Sequence, residues 1–178
     1  MNTQPKPKPC AQCGSIFTPV RPMMLVCSPL CASRLVKAAK KEEFARTKAR
    51  KVAIKSRADW AREAQTAFNA WVRARDADKP CISCQRHHTG QYHAGHLLSR
   101  GARPELAYEP DNCHKQCAPC NTHLSGNVAM YRVNLVKLIG LERVEWLEGP
   151  HPAKHYSIED LREIKELYKR KLKDISHG

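Results

Sequence analysis

The chain has 178 residues, enough for one ordinary domain or two small ones on a linker, and its 42% apolar and 6% aromatic content allows only a thin core that metal would have to staple. Lys and Arg number 31 against 17 Asp and Glu, a net charge of +14 that favours a polyanionic partner. No run of about eighteen apolar residues exists and "MNTQPKPKPC" lacks an apolar stretch, which excludes a spanning helix and a secretory signal; nine cysteines in a reducing cytoplasm then point to metal before disulfide.

In chain order, "PKPKP" reads as a flexible or polyproline-like tail. Cys10, Cys13, Cys27 and Cys31 follow as "CAQC" and "CSPLC". Two residues between paired cysteines let both thiolates meet one ion at a tight turn, and two such pairs supply the four-sulfur shell that structural zinc favours. Residues 1–33 are therefore expected to be a tail and a zinc-binding module. Between Arg34 and Lys79 stand fourteen Lys or Arg against six Asp or Glu, a surplus of eight. Its first part, residues 34–55, is rich in helix formers with little apolar periodicity and reads as a solvated basic arm. Lys37, Lys40, Lys41, Arg46, Lys48, Arg50, Lys51 and Lys55, with Arg57 and Arg100 further on, are the candidate phosphate contacts.

"SRADWAREAQTAFNAWVRARD" differs from the arm. Ser56 and Asp59 make a capping-box start, and Trp60, Ala64, Ala67, Phe68, Trp71 and Val72 recur at helical spacing. A helix over 57–77 is expected, with its aromatics in a core. Cys81 and Cys84 ("CISC") then pair with Cys117 and Cys120 ("CAPC") as a second zinc site. Buried cysteine packing or redox pairing explains neither the grouping by four nor the pairing, and Cys113 is left as a small core residue. "HTGQ" reads as a hairpin turn, "QYHAGHLL" as a short strand and the stretch to Asp111 as loop. A helix running on from the second cysteine pair ends at Gly140, and "LERVEWLEG" is another short helix. The last helix starts at Ser157, capped by Asp160, with Leu161, Ile164, Leu167, Tyr168 and Leu172 as its apolar stripe. Residues 56–148 form one module with its buttressing helix, and 149–178 the C-terminal helix.

The second module holds more than a zinc site needs. His87 and His88 read as solvated or structural. His96 on the strand, Asn112 five residues before Cys117, and Asn121 directly after Cys120 resemble, in order and spacing, the HNH or ββα-metal nucleases. "AFNAWVRARD", "PCISC", "HAGH", "HKQC" and "CNTHLSGN" are more specifically similar to the lambdoid-phage NinG (Rap) recombination proteins, over about residues 56–145 and with an N-terminal zinc module as well. The resemblance implies a helix-rich α+β fold: a small ββα-metal, treble-clef-like zinc module with flanking helices, plus the N-terminal zinc knuckle.

The resemblance assigns roles that the chemistry supports. Phosphodiester hydrolysis needs an activated water and a cation on the phosphate oxygens. His96 is the candidate base, Asn112 orients it, and Asn121 offers an oxygen to a hard cation, magnesium or manganese. Relatives in the broader class place Asp or His directly before the base; here that residue is Gly95. His93 is the candidate second ligand, which requires a bulge at Gly95 because strand residues three apart face opposite sides. His123 is its rival.

The expected function is a metal-dependent endonuclease, with two structural zinc ions, that cleaves branched recombination DNA such as Holliday junctions and D-loops in the bacterial host cytoplasm. A homodimer would suit a symmetric junction. The rival readings are a non-catalytic zinc-finger DNA-binding or regulatory protein and an HNH enzyme that nicks ordinary duplex.

Overall fold

The structure, a computed structural model, describes residues 6–177, and the chain divides into two compact units, one up to Lys55 and one from Ser56 onward. In the first, β1 (Lys8–Pro9) pairs antiparallel with β2 (Ile16–Phe17). The end of "PKPKP" is thus tied into a ladder and is not free tail. The connecting turn closes when the Gly14 N–H reaches the Cys10 carbonyl at 2.9 Å, with Gly14 at φ +75°, a conformation that costs glycine little. α1 (Pro29–Ala53) begins where Ser28 Oγ accepts the Cys31 N–H at 3.2 Å and Pro29 takes the first position. The helix therefore starts inside the cysteine module, earlier than the expected start of the arm at residue 34, and carries Cys31 in its first turn. Ile16, Val20, Met23 and Leu25 are all exposed, while Cys10 and Cys31 are buried. The cysteines stand where an apolar core would otherwise be.

In the second unit α2 (Arg57–Arg75) starts at a complete capping box between Ser56 and Asp59. It ends at Arg75, two residues before the expected 77, with Asp76 as its C-cap. α5 (Ile158–His177) starts where Ser157 and Asp160 exchange hydrogen bonds of 2.8 and 3.0 Å. The two helices pack together: Tyr168 meets Phe68 edge-on at 4.8 Å and Trp71 at 4.9 Å, and Lys165 reaches Glu63 at 2.9 Å.

β3 (Tyr92–His96) and β4 (Cys113–Cys117) form an antiparallel pair in which Tyr92 lies opposite Cys117, Gly95 opposite His114 and His96 opposite Cys113. Successive side chains take opposite faces. Ala94 and Cys113 join Ala67, Phe68, Trp71, Val72 and Tyr168 on the α2–α5 side. Leu97 joins Ile82 and Leu106 on the other, against Tyr131 and Leu135 of α3 (Val128–Ile139) and Val144 and Leu147 of α4 (Leu141–Glu148). The strand pair is the middle layer between two helix pairs. The described residues make a helix-rich α+β protein with two two-stranded sheets.

Several local expectations change. The ladder is regular throughout, so the bulge at Gly95 does not form. Tyr92 pairs with a strand that begins at Cys113, and "HTGQ" makes bends, not a hairpin turn. The loop between the strands contains two short 3₁₀ turns, Pro104–Leu106 and Pro110–Asn112, so Asn112 precedes β4 instead of lying in it. After Cys120 the chain makes a π turn, Pro119–His123, and passes Gly126 at φ +88° before α3 begins at Val128.

Candidate functional site

Both cysteine tetrads are assembled. The four sulfur atoms of Cys10, Cys13, Cys27 and Cys31 lie within 4.8 Å of one another, as do those of Cys81, Cys84, Cys117 and Cys120. A tetrahedron with zinc–sulfur bonds of about 2.3 Å has edges of about 3.8 Å. Cys13–Cys27 and Cys27–Cys31 are 3.6 Å apart and Cys84–Cys117 is 3.9 Å. All-sulfur donors at tetrahedral spacing fit zinc in each site. The surroundings also suit thiolates. Backbone N–H groups of Gln12 and Cys27 point at Cys10 Sγ, and Asn127 Nδ2 points at Cys120 Sγ. His88 Nε2 stands 3.2 Å from Cys84 Sγ. Spacing alone gave His88 no such role; with its ring N–H on that sulfur it becomes an outer partner of the metal site.

The hairpin places the other candidates in two groups. His96 is half-buried under α2, its ring 6.0 Å from Phe68. Its Nε2 lies 3.1 Å from the Ala107 carbonyl. A carbonyl only accepts, so Nε2 carries the proton and Nδ1 keeps its lone pair. Nδ1 faces Cys113 Sγ at 3.6 Å, and burial pushes that thiol far up, so it stays an S–H and a weak donor. Burial lowers the His96 pKa, the Ala107 bond opposes this, and nearby Arg100 adds to the lowering. The ring is neutral at pH 7.

Asn112 is fully buried and spends its whole amide on the backbone. Oδ1 accepts the Leu98 N–H at 2.9 Å; Nδ2 donates to the carbonyls of Leu98 at 3.0 Å and Leu106 at 3.2 Å. It therefore clamps the loop that follows His96 and that carries Ala107, the acceptor for His96.

His93 lies on the opposite face of β3 from His96. Its Nδ1 is 2.8 Å from Asn121 Nδ2. The pair opens into a cavity of about 430 Å³ whose wall includes Asn69 and Arg73 of α2. Asn121 is held there by its neighbour Cys120. His123, on the same turn, is exposed and its ring makes no hydrogen bond among the described residues.

Gly95 has a steric reason. A Cβ built there would lie 2.1 Å from Gln116 Oε1. The residue directly before His96 thus has no room for an Asp or His. The strand's other buried polar groups are structural. Tyr131 donates to the Gly95 carbonyl at 2.9 Å and sits 3.3 Å from His114 Nδ1. Burial, reinforced by Arg75, lowers the His114 pKa to about 4.

Asp76 is a cross-link that spacing did not reveal. It is 1% exposed and accepts from Arg75 at 2.7 and 2.9 Å, from Lys79 at 2.9 Å and from the Lys115 N–H at 3.1 Å. Burial alone would raise its pKa, but the Arg75 and Lys79 bonds overcome this and hold it at about 2. Arg75 also donates to the carbonyls of Pro110 and Cys113, pinning the end of α2 to β4. The only sequence signal was an Arg-Asp pair at a helix end.

Among the candidate phosphate contacts, Lys37, Lys40, Lys41, Arg46, Lys48, Arg50 and Lys51 are exposed on α1. Arg57 donates to the Tyr156 carbonyl and Arg100 to Gln65 Oε1. No helix among the described residues is long and apolar enough to cross a membrane.

Fold and donor sets together define a helix-rich α+β protein with two cysteine tetrads, each able to hold zinc. The chain belongs to the NinG family: the family described as "Bacteriophage Lambda NinG protein" matches residues 2–177. It is 37% identical to "Protein ninG" of Escherichia phage lambda over 186 aligned positions, covering 94% of this chain and 91% of that one. The Salmonella phage P22 protein of the same name is 37% identical over 183, covering 92% and 90%. That of Escherichia phage 933W is 44% identical over 131, covering 74% of this chain and 65% of its own length, so the chain spans less than two thirds of that relative. No solved structure matches.

Proposed function

We propose that this protein is a metal-dependent DNA endonuclease of the HNH class that cuts branched recombination intermediates. The observation that carries the reading is the state of His96: neutral, fixed through Nε2 to the Ala107 carbonyl, with its Nδ1 lone pair left as the basic atom. Water attacks the phosphorus, its proton passes to Nδ1, and the phosphorus–oxygen bond to the leaving strand breaks. Cys113 is too weak a donor to compete strongly for that nitrogen. Asn112 keeps the loop, and so the ring, in place.

His93 and Asn121 are the residues that would hold the catalytic cation, with the Asn121 amide turned to present Oδ1. An imidazole nitrogen beside an amide oxygen suits manganese better than magnesium, which prefers water-rich oxygen shells. The cation would neutralise charge on the phosphate, and because His93 lies on the opposite face of β3 from His96, the reading requires the hairpin to rearrange on DNA so that cation and base meet one phosphate. DNA as partner is supported by the +14 charge. Branch preference rests on the family resemblance.

A second reading has its own support: Cys113 stands against the one nitrogen that a base would use. In that reading His96 is a buried structural residue of a non-catalytic DNA-binding protein. The test is cleavage of a labelled synthetic four-way junction with manganese or magnesium, repeated with His96→Ala and with linear duplex. Cleavage lost in the variant while binding persists supports the nuclease. Intact junction with every divalent metal supports the binder, and equal cutting of linear duplex removes the branch preference.

A further inference from the structure

The exposed surface of α1 carries a row of lysines around one aromatic side chain. At 3.6 residues per turn, Lys37, Lys41, Phe44, Lys48 and Lys51 fall within about 80° of arc. They form one stripe about 21 Å long at 1.5 Å per residue. Glu42 and Glu43 lie outside it by about 80° or more, on the other face with Arg46 and Arg50, so the stripe itself is purely basic. All five side chains are exposed. None of the four lysines makes an ion pair or side-chain hydrogen bond among the described residues. Phe44 sits in the middle of the stripe, 72% exposed, and is the only aromatic on the helix.

Each part of this needs a partner. Charge that only solubilises gains nothing from a row of lysines with no acid among them, because like charges at i and i+4 repel, as Lys37 and Lys41 do. An exposed phenylalanine costs hydration without return. The stripe lacks the apolar width of a helix that lies in a membrane or pairs with a second helix. A row of lysines around one aromatic is the pattern that takes a nucleic-acid strand: cations on successive phosphates and a ring for a base face. A base in intact duplex is already stacked on its neighbours and offers no face.

We propose that the lysine stripe of α1 binds a nucleic-acid strand with an unstacked base, which Phe44 stacks upon. The ligand class is single-stranded DNA, including the unpaired nucleotides of a gap or a branch point. This goes beyond the nuclease reading and does not depend on it, since it concerns binding by the first unit and no cleavage step.

The test is fluorescence anisotropy of the full-length zinc-loaded protein with a 20-nucleotide oligothymidylate and a 20-base-pair duplex, in calcium to keep cleavage out of the readout. Phe44→Ala should weaken oligothymidylate binding about 5- to 100-fold, the range for losing one stacked base, and change duplex binding less than twofold. Replacing Lys37, Lys41, Lys48 and Lys51 by Gln should lower the slope of log affinity against log salt by about 3 for the single strand. The pair Arg46→Gln and Arg50→Gln, on the opposite face, should lower it by half of that or less. Helicity and zinc content confirm that each variant is folded. Equal losses on single strand and duplex for Phe44→Ala would overturn the stacking role. An unchanged salt slope in the lysine variant, or tight binding to vesicles with one-fifth phosphatidylserine but not to oligothymidylate, would overturn the stripe.

Discussion

The side-chain oxygen of Gln116 occupies the space that a Cβ on residue 95 would need, 2.1 Å from its ideal position. The same Gln116 donates to Ser83 Oγ at 2.7 Å and to the Gly126 carbonyl, so it cannot easily move aside. Glycine before His96 is thus set by packing across the hairpin. Gly95→Ala should destabilise the second unit by about 1–3 kcal/mol, the usual cost of overpacking. In a Gln116→Ala background the added cost should shrink by most of that amount, measured by urea unfolding as a double-mutant cycle. Additive losses would show that the two residues do not clash.

Zinc should be a folding ligand for both units. Cys84→Ser should leave the second unit without its cluster and lose most near-ultraviolet circular dichroism, because binding energy here is folding energy. A strong chelator should do the same to the unaltered protein. A zinc-free chain that kept its fold would contradict the reading of both tetrads.

His114 makes stability depend on mild acid. Its folded pKa of about 4 lies below the ordinary value near 6.5. The unfolded chain therefore takes up the proton first. The stabilisation is whole above about pH 6.5 and is lost as pH falls through about 4, amounting to about 3 kcal/mol. At saturating zinc, the urea midpoint should fall across that window, and His114→Gln should remove about this much of the pH dependence. An unchanged slope in the variant would place the acid sensitivity elsewhere.

Asp76 acts lower on the pH scale. Its carboxyl is held at about 2, so its contribution is present above about pH 4 and is lost as pH drops through 2. Removing it leaves the Lys115 N–H without its acceptor and takes the paired carboxylate from Arg75, which keeps only the Pro110 and Cys113 carbonyls. Asp76→Ala should cost about 3–5 kcal/mol, read as a shift in thermal midpoint, whereas a loss below about 1 kcal/mol would mean that solvent replaces the carboxylate freely.

The pH profile of cleavage should carry the mark of His96. Its lowered pKa puts the rising limb below pH 6.5, with a plateau through pH 7 to 8. His96→Ala should reduce the rate about 10²- to 10⁴-fold with little change in junction affinity. A limb centred above pH 7 would point to another base.

The elements that the sequence made legible are those whose signals are local. Two-residue cysteine spacings located both tetrads, and a Ser with an Asp three residues later located the starts of α2 and α5. The bulge at Gly95 that was to bring His93 and His96 onto one face is absent, and the regular ladder keeps the two on opposite faces. What was not legible depends on partners distant in the chain. The cross-link of Asp76 requires Arg75 to reach Pro110 and Cys113, and nothing near residue 76 announces it. The strand at Lys8–Pro9 is held by Phe17 and Ile16 against the preference of a proline-rich run. The contact of His88 with Cys84 depends on a turn geometry that residue spacing does not encode.

The pairing of α2 with α5 has a consequence for the order of events in folding. The bond from Lys165 to Glu63 closes a loop of 102 residues, whereas the Cys27–Cys10 contact of the first unit closes one of 17. A loop six times longer carries about 1.5 kcal/mol more closure entropy, and non-local contacts slow folding further. The first unit can therefore assemble around its metal quickly from neighbouring segments. The second must gather both ends of a long segment before Phe68, Trp71 and Tyr168 meet, so refolding from denaturant with zinc present should proceed in two phases, with the tryptophan signal in the slower one.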